Sequence, residues 1–165
     1  MQLKNGVLPK LSWNWGKGVT AASLGDFGSP ITSGTSYRLC VYDESGGSPI
    51  FKMGVTIPTG GMCGSTACWK TLGASGWSYK DKARTSGGIK GIAMKGGAFG
   101  KPLIKLTGGG LNLPLPTPVS GIRFFEQDTA VIVQLFRNDA ENCWSSTFDI
   151  PARRNDGGQF VATKP

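Results

Sequence analysis

The sequence contains no histidine. That absence excludes a Ser-His-Asp triad, a Cys-His nucleophile pair and every histidine-ligated metal centre. Acidic residues are scarce, ten against eighteen Lys and Arg, and all charged residues together make up only 17% of the chain. No stretch reaches the uninterrupted apolar length of a membrane span. A helix-forming composition is also missing. Among 165 residues 26 are Gly and 10 are Pro, the two poorest helix formers, which argues against a helical bundle.

Several catalytic and nucleotide signatures are absent as well. Gly96-Gly97-Ala98-Phe99-Gly100-Lys101-Pro102 departs from a phosphate-binding loop, which needs four residues before its Gly-Lys pair and Ser or Thr after it. Gly108-Gly109-Gly110 leads into Leu-Asn-Leu-Pro and not into a helix, so no dinucleotide fingerprint survives. No Gly-x-Ser-x-Gly elbow exists. What is present suffices for one core: 39% of residues are hydrophobic, and the length suits a single domain spanning residues 1–165.

Charge is unevenly placed. From Lys70 to Lys105 the basic residues are Lys70, Lys80, Lys82, Arg84, Lys90, Lys95, Lys101 and Lys105, and the only acid is Asp81. From Glu126 to Asp149 five acids stand against Arg137 alone. Such polarity steers an anionic polymer, or brings one copy's basic region to another's acidic region. A solvated lysine face that keeps β-edges unpaired is the plainer reading.

Four cysteines permit three pairings. Cys63 and Cys68 flank a short glycine-containing loop that closes on itself, and Cys40 and Cys143 each lie in apolar, strand-like runs. We therefore expect Cys63–Cys68 and Cys40–Cys143 disulfides. A four-thiolate zinc site fits less well, because only one pair has close spacing, and neither a metal nor another cofactor is expected. An even cysteine count without a catalytic signature points to an oxidising compartment. Met1-Gln2-Leu3-Lys4-Asn5 leads into no apolar signal region, so the expectation is a mature or excised piece of an exported protein.

Short runs bounded by turn residues read as strands: Leu11–Trp15, Thr35–Asp43, Ile50–Ile57, Cys68–Leu72, Trp77–Lys80, Ile89–Lys95, Lys101–Thr107, Ile122–Glu126, Ala130–Arg137 and Trp144–Ile150, with Gln159–Ala162 a candidate last one. Ala130–Phe136 is apolar on both faces, as a central strand requires. Nine or ten short strands with Gly/Pro turns imply an antiparallel, all-β sandwich or jelly-roll-like domain. Residues 1–11 are a candidate arm able to add a strand to a neighbour's sheet.

Asp43, Glu44, Asp81, Glu126 and Asp128 are the carboxylates available for histidine-free hydrolysis. They lie beside turns or lysines and read as solvated strand ends, so no enzyme is expected. Asn138–Asn142 and Asn155–Gly157 offer oxygen ligands without a calcium-loop spacing, and turn chemistry accounts for both. Trp69 and Trp144 each follow a cysteine and are assigned to packing. Trp77, between Gly76 and Ser78, is the candidate exposed stacking residue. With Tyr79, Lys80, Lys82 and Arg84 it forms the candidate ligand-binding set.

Trp13-x-Trp15, Leu39-Cys40-Val41-Tyr42-Asp43, Cys63-x4-Cys68-Trp69, Tyr79-Lys80-Asp81-Lys82, Lys95-Gly96-Gly97-Ala98, Leu111-Asn112-Leu113-Pro114-Leu115-Pro116, Cys143-Trp144 and Pro151-Ala152-Arg153-Arg154-Asn155-Asp156 follow in an order with a known counterpart. The chain resembles an uncharacterised cysteine-containing β-domain of exported proteins from environmental bacteria, a domain with no established activity. The resemblance covers about Trp13 to Phe160. It implies export and disulfides, and it carries over no catalytic residue. The functional expectation is a non-catalytic extracellular binding or adhesion module for a glycan or anionic polymer. The alternative is a structural subunit of a filament or surface layer, self-associating through the arm and sheet edges. Nucleic-acid binding ranks third, since lysines dominate and no recognition motif is visible.

Overall fold

The computed structural model describes residues 1–16, 21–32 and 34–163. The chain opens with β1 (Gln2–Lys4) and β2 (Lys10–Gly16), and β2 alternates so that Leu11 and Trp13 turn inward. β3 (Tyr37–Ser45) and β4 (Ser48–Ile57) form a hairpin. Its two-residue turn uses Gly46 and Gly47, both at positive φ, which matches the twist of the flanking strands. β5 (Met62–Cys63) and β6 (Thr66–Ala67) make a small hairpin closed by the Cys63–Cys68 disulfide. An antiparallel meander follows: β7 (Trp69–Thr71), β8 (Gly76–Lys80), β9 (Ile89–Lys95) and β10 (Leu103–Gly109). β11 (Ala130–Arg137), β12 (Cys143–Asp149), β13 (Arg154–Asp156) and β14 (Gln159–Val161) complete the set.

Two sheets result. The large one has eight strands in the order β13-β14-β1-β2-β10-β9-β8-β7, and the small one runs β12-β11-β3-β4. The expected all-β antiparallel architecture is what forms, and the doubly apolar β11 lies between two neighbours. One cluster of buried side chains from both sheets makes the core. Indoles tie the layers together. The Trp13 indole N–H donates to the Ser146 hydroxyl across the sheets at 3.2 Å. Trp69 lies between the Tyr37 and Tyr79 rings, with centroids 5.4 and 5.2 Å away, and Trp144 stacks on Phe27 at 5.1 Å. Packing is therefore the role of Trp69 and Trp144, with aromatic rings as partners. No helix among the described residues is long and apolar enough to cross a membrane.

Three expectations are corrected. Segment 1–11 is no arm: β1 pairs with β14 on one side and β2 on the other, within its own sheet. Ile122–Glu126 is no strand. Side chains replace the ladder there: Asn155 accepts the Phe124 and Phe125 N–H groups, and Asp43 accepts those of Glu126 and Gln127. These caps let Phe124 and Phe125 plug the core from a loop. The Cys40–Cys143 bridge does not form, and both thiols are free. Cys40 on β3 pairs with Gln134, whereas Cys143 on β12 pairs with Phe136, so β11 stands between them. Two strand spacings put about 10 Å between their backbones, beyond what a disulfide spans.

Candidate functional site

The inward side chains of the large sheet are apolar, so its polar residues point outward in rows. Tyr79, Ile92, Leu106 and Trp13 occupy one inward row across β8, β9, β10 and β2. On the outer face, Lys70, Ser78, Ala93, Lys105 and Asn14 form the next row. Lys80, Gly91, Thr107, Ser12 and Gln2 form another. Lys95 continues the pattern opposite Leu103. Strand spacing and rise place Lys80 and Lys105 about 12 Å apart at the backbone.

A bulge adds one more cation. Register shifts between Thr107 and Gly108, so Gly91 and Ile89 face consecutive residues of β10 and Lys90 is the extra residue. Lys90 is exposed while Ile89 and Ile92 stay buried. Bulges re-aim side chains in this way.

Because the middle of each row is Gly, Ala, Ser or Thr, the long lysines wall a shallow trough. A hollow of about 420 Å³ lies between Lys80, Lys82, Lys90 and Lys105 over Gly91 and Ala93. It shares Ser78, Lys80 and Lys82 with a neighbouring hollow of about 450 Å³ beneath the Cys63–Cys68 hairpin. Ala93 and Lys105 join it to a third of about 600 Å³ beside Lys95. Lys90 and Thr107 join it to a fourth of about 380 Å³ beside Arg84. None of Lys70, Lys80, Lys82, Lys90, Lys95 and Lys105 meets a carboxylate in an ion pair among the described residues. The one acid lining the trough is Asp81. It is buried, and the Arg84 and Thr85 N–H groups and the Thr85 hydroxyl all donate to it. Burial pushes its carboxyl up, but those donors outweigh it and hold the group below the ordinary carboxylate range.

The predicted ligand set therefore splits. Lys80 and Lys82 are exposed on the trough and Arg84 lies at its end. Trp77 and Tyr79 point the other way. Trp77 is only 8% exposed, and its indole N–H donates to the Gly28 carbonyl at 2.8 Å. Tyr79 is buried, and its hydroxyl donates to Ser86. The Gly-Ser flanks of Trp77 belong to a strand, not to an exposed turn, and strand alternation sends the ring inward. Tyr79 is the one aromatic residue among the described residues that line the trough, and it is only 1% exposed.

Two carboxylates also differ from the sequence reading. Asp43 and Asp81 are buried backbone caps, not solvated strand ends. Asp139 and Asp156 are likewise engaged, with Arg137 and Arg154.

Sequence reasoning missed the outer face of the small sheet. Arg38, Cys40 and Tyr42 share that face with Phe51 and Phe136 around a hollow of about 670 Å³. Tyr42 meets the half-exposed Phe51 edge-on at 5.8 Å, and the Arg38 guanidinium stands 6.0 Å from the Phe51 ring centre. Strand alternation within Thr35–Asp43 puts Arg38, Cys40 and Tyr42 on one face. The partner ring on β4 was the missing piece. No protein-family model, no curated protein and no solved structure matches this chain.

Proposed function

We propose that this chain is a non-catalytic, exported binding module that holds an acidic polysaccharide, sulfated or uronic, against the outer face of its large sheet. The observation that carries this reading is the trough walled by lysines without carboxylate partners. A lysine face serving solubility alone has no need of a hollow floored by Gly91 and Ala93, with Ser78 and Thr107 beside them to hydrogen-bond sugar hydroxyls. Flexible ammonium groups suit a polymer whose charges repeat without strict register. The Cys63–Cys68 disulfide in a small β-domain supports an oxidising location.

The test is retention of the full chain on an immobilised sulfated glycan and on polygalacturonate, with a neutral glucan as control. Retention on the acidic matrices, released by salt, is expected. Equal behaviour on all three matrices would remove the reading.

A second reading, self-assembly into a filament or layer, is favoured by one observation. β4 is ten residues long, stands at the end of the small sheet, and exposes Ile50 and Phe51. Long apolar edges pair with other chains. Electron microscopy of the purified protein separates the two: fibres or lattices favour assembly, and dispersed monomers favour the binding module.

A further inference from the structure

At the β2 end of the trough, three loops meet over the Gly108-Gly109-Gly110 run. A side chain at Gly109 would meet the Pro9 carbonyl at 2.8 Å, and one at Gly110 would meet the Arg84 guanidinium at 3.3 Å. Glycine at 109 lets the Pro9 carbonyl approach this closely, and Gly110 takes a left-handed φ of 83°. The hollow they enclose, about 380 Å³, presents Arg84, Lys10 and Lys90 with the hydroxyls of Ser12 and Thr107, and no carboxylate lines it.

Arg84 is unusual in two ways. Its backbone is left-handed, at φ 58°, a conformation rarely adopted by residues with long side chains. The turn is pinned there: the Arg84 N–H donates to Asp81 Oδ1, and the Arg84 carbonyl accepts from Gly88 N–H and Asn112 Nδ2. The second oddity is chemical. Arg84 Nε is shut off from solvent and reaches no acceptor among the described residues. A buried donor on a charged group without a partner is costly and calls for an explanation. Asp81 does not supply the acceptor, because its oxygens are taken by backbone N–H groups and Thr85.

We infer that Arg84, Lys10 and Lys90 form a discrete oxyanion site that takes a tetrahedral sulfate or phosphate group. The terminal nitrogens of the Arg84 guanidinium present a fork to two oxygens, and Lys10 and Lys90 neutralise the rest. The hydroxyls of Ser12 and Thr107 donate to what remains. Placed at the end of the lysine trough, the site reads a sulfate ester on the polymer proposed above. That source rests on the proposed function, whereas the oxyanion site itself does not.

The test uses the isotopically labelled full chain titrated with sodium sulfate against sodium chloride at matched ionic strength. The Arg84 Nε–H resonance and the amides of Gly108, Gly109 and Gly110 are followed. A saturating shift specific to sulfate is expected. Arg84→Gly relieves the left-handed strain, so it should fold at least as well as the parent while binding sulfate roughly ten- to a hundredfold more weakly, the loss of a charged fork. Arg84→Lys, which keeps the charge and loses the fork, should fall between. No saturating shift, or equal sulfate affinity in Arg84→Gly, overturns the inference.

A second arm distinguishes the sources. If Arg84→Gly loses affinity for a sulfated glycan but not for polygalacturonate, the ligand is the ester on the polymer. If it loses only inorganic sulfate, the site stands with a free anion as its ligand. If Lys80→Gln and Lys105→Gln lose polymer while Arg84→Gly changes nothing, the trough stands and the oxyanion site falls.

Discussion

Replacing Trp77 by alanine is expected to destabilise the protein and leave polymer affinity unchanged. Trp77 is buried against the opposite layer, pairs across strands with Met94 and Thr71, and anchors the Gly28 carbonyl through its indole N–H. Truncating a buried Trp to Ala costs about 3–5 kcal/mol, including the cavity left behind. Within that sum the lost hydrogen bond is about 1 kcal/mol, and the Gly28 carbonyl is left without its partner. For a chain of this size each kcal/mol lowers the melting temperature by about 2–4 °C, so the fall should be about 6–20 °C. Trp77→Phe keeps most of the ring volume and should lose about half as much or less. Thermal unfolding by near-ultraviolet circular dichroism reads the stability, and retention on an acidic matrix below the transition reads binding. A variant that melts within about 2 °C of the parent and loses binding tenfold would refute the argument, since a core indole cannot be removed so cheaply.

Other expectations follow from the same geometry. Asp43→Ala strands the Glu126 and Gln127 N–H groups in the interior and should cost about 2–5 kcal/mol, visible as a lower urea midpoint. The Asp139 carboxyl is held down to about 2 by hydrogen bonds from Arg137 and Thr35. A lowered folded-state value contributes stability that is present above the ordinary aspartate range and lost as pH falls towards 2. Asp139→Asn should therefore melt below the parent at pH 7, and the gap should close by about pH 2. Thiol titration should find two free thiols, with Cys143 reacting in the native state and the buried Cys40 only on unfolding. Finding none would restore the Cys40–Cys143 bridge. Removing the Cys63–Cys68 bridge by paired serine substitution should cost about 2 kcal/mol, the closure entropy of so short a loop.

The long strands were legible because their side chains alternate with period two. Ala130–Arg137 and Ile89–Lys95 coincide with β11 and β9, and the paired inward indoles of Leu11–Trp15 were visible in the same way. Short strands were not. β1 and β13 have three residues each, and their pairing is decided by β14 and β2, which no local pattern records. Ile122–Glu126 misled because its apolar residues do enter the core, yet side-chain acceptors on Asn155 and Asp43 satisfy its backbone.

The site was half legible. Lysine enrichment between Lys70 and Lys105 announced a basic face, and Lys80, Lys82 and Arg84 lie on it. Lys10, Ser12 and Gln2 reach the same face from β2 and β1, which lie beyond β10 in the sheet, a proximity that sequence distance hides. Trp77 was misplaced because its small flanking residues resemble a turn, while its strand register opposite Met94 fixes it inward. Cys40 and Cys143 were paired by elimination, and only the strand order shows β11 between them.

The central claim, that the lysine trough holds an acidic polymer, is tested most directly by moving charge within and outside it. Lys80→Gln with Lys105→Gln removes two cations from the trough walls, and Arg123→Gln with Arg153→Gln removes the same charge elsewhere. Affinity for a sulfated glycan, measured by titration calorimetry across a series of salt concentrations, is the readout. The trough pair should bind at least tenfold more weakly with a shallower salt dependence, and the control pair should follow the parent. Equal losses in both pairs would mean that net charge alone attracts the polymer, and would contradict the assignment of the trough as its site.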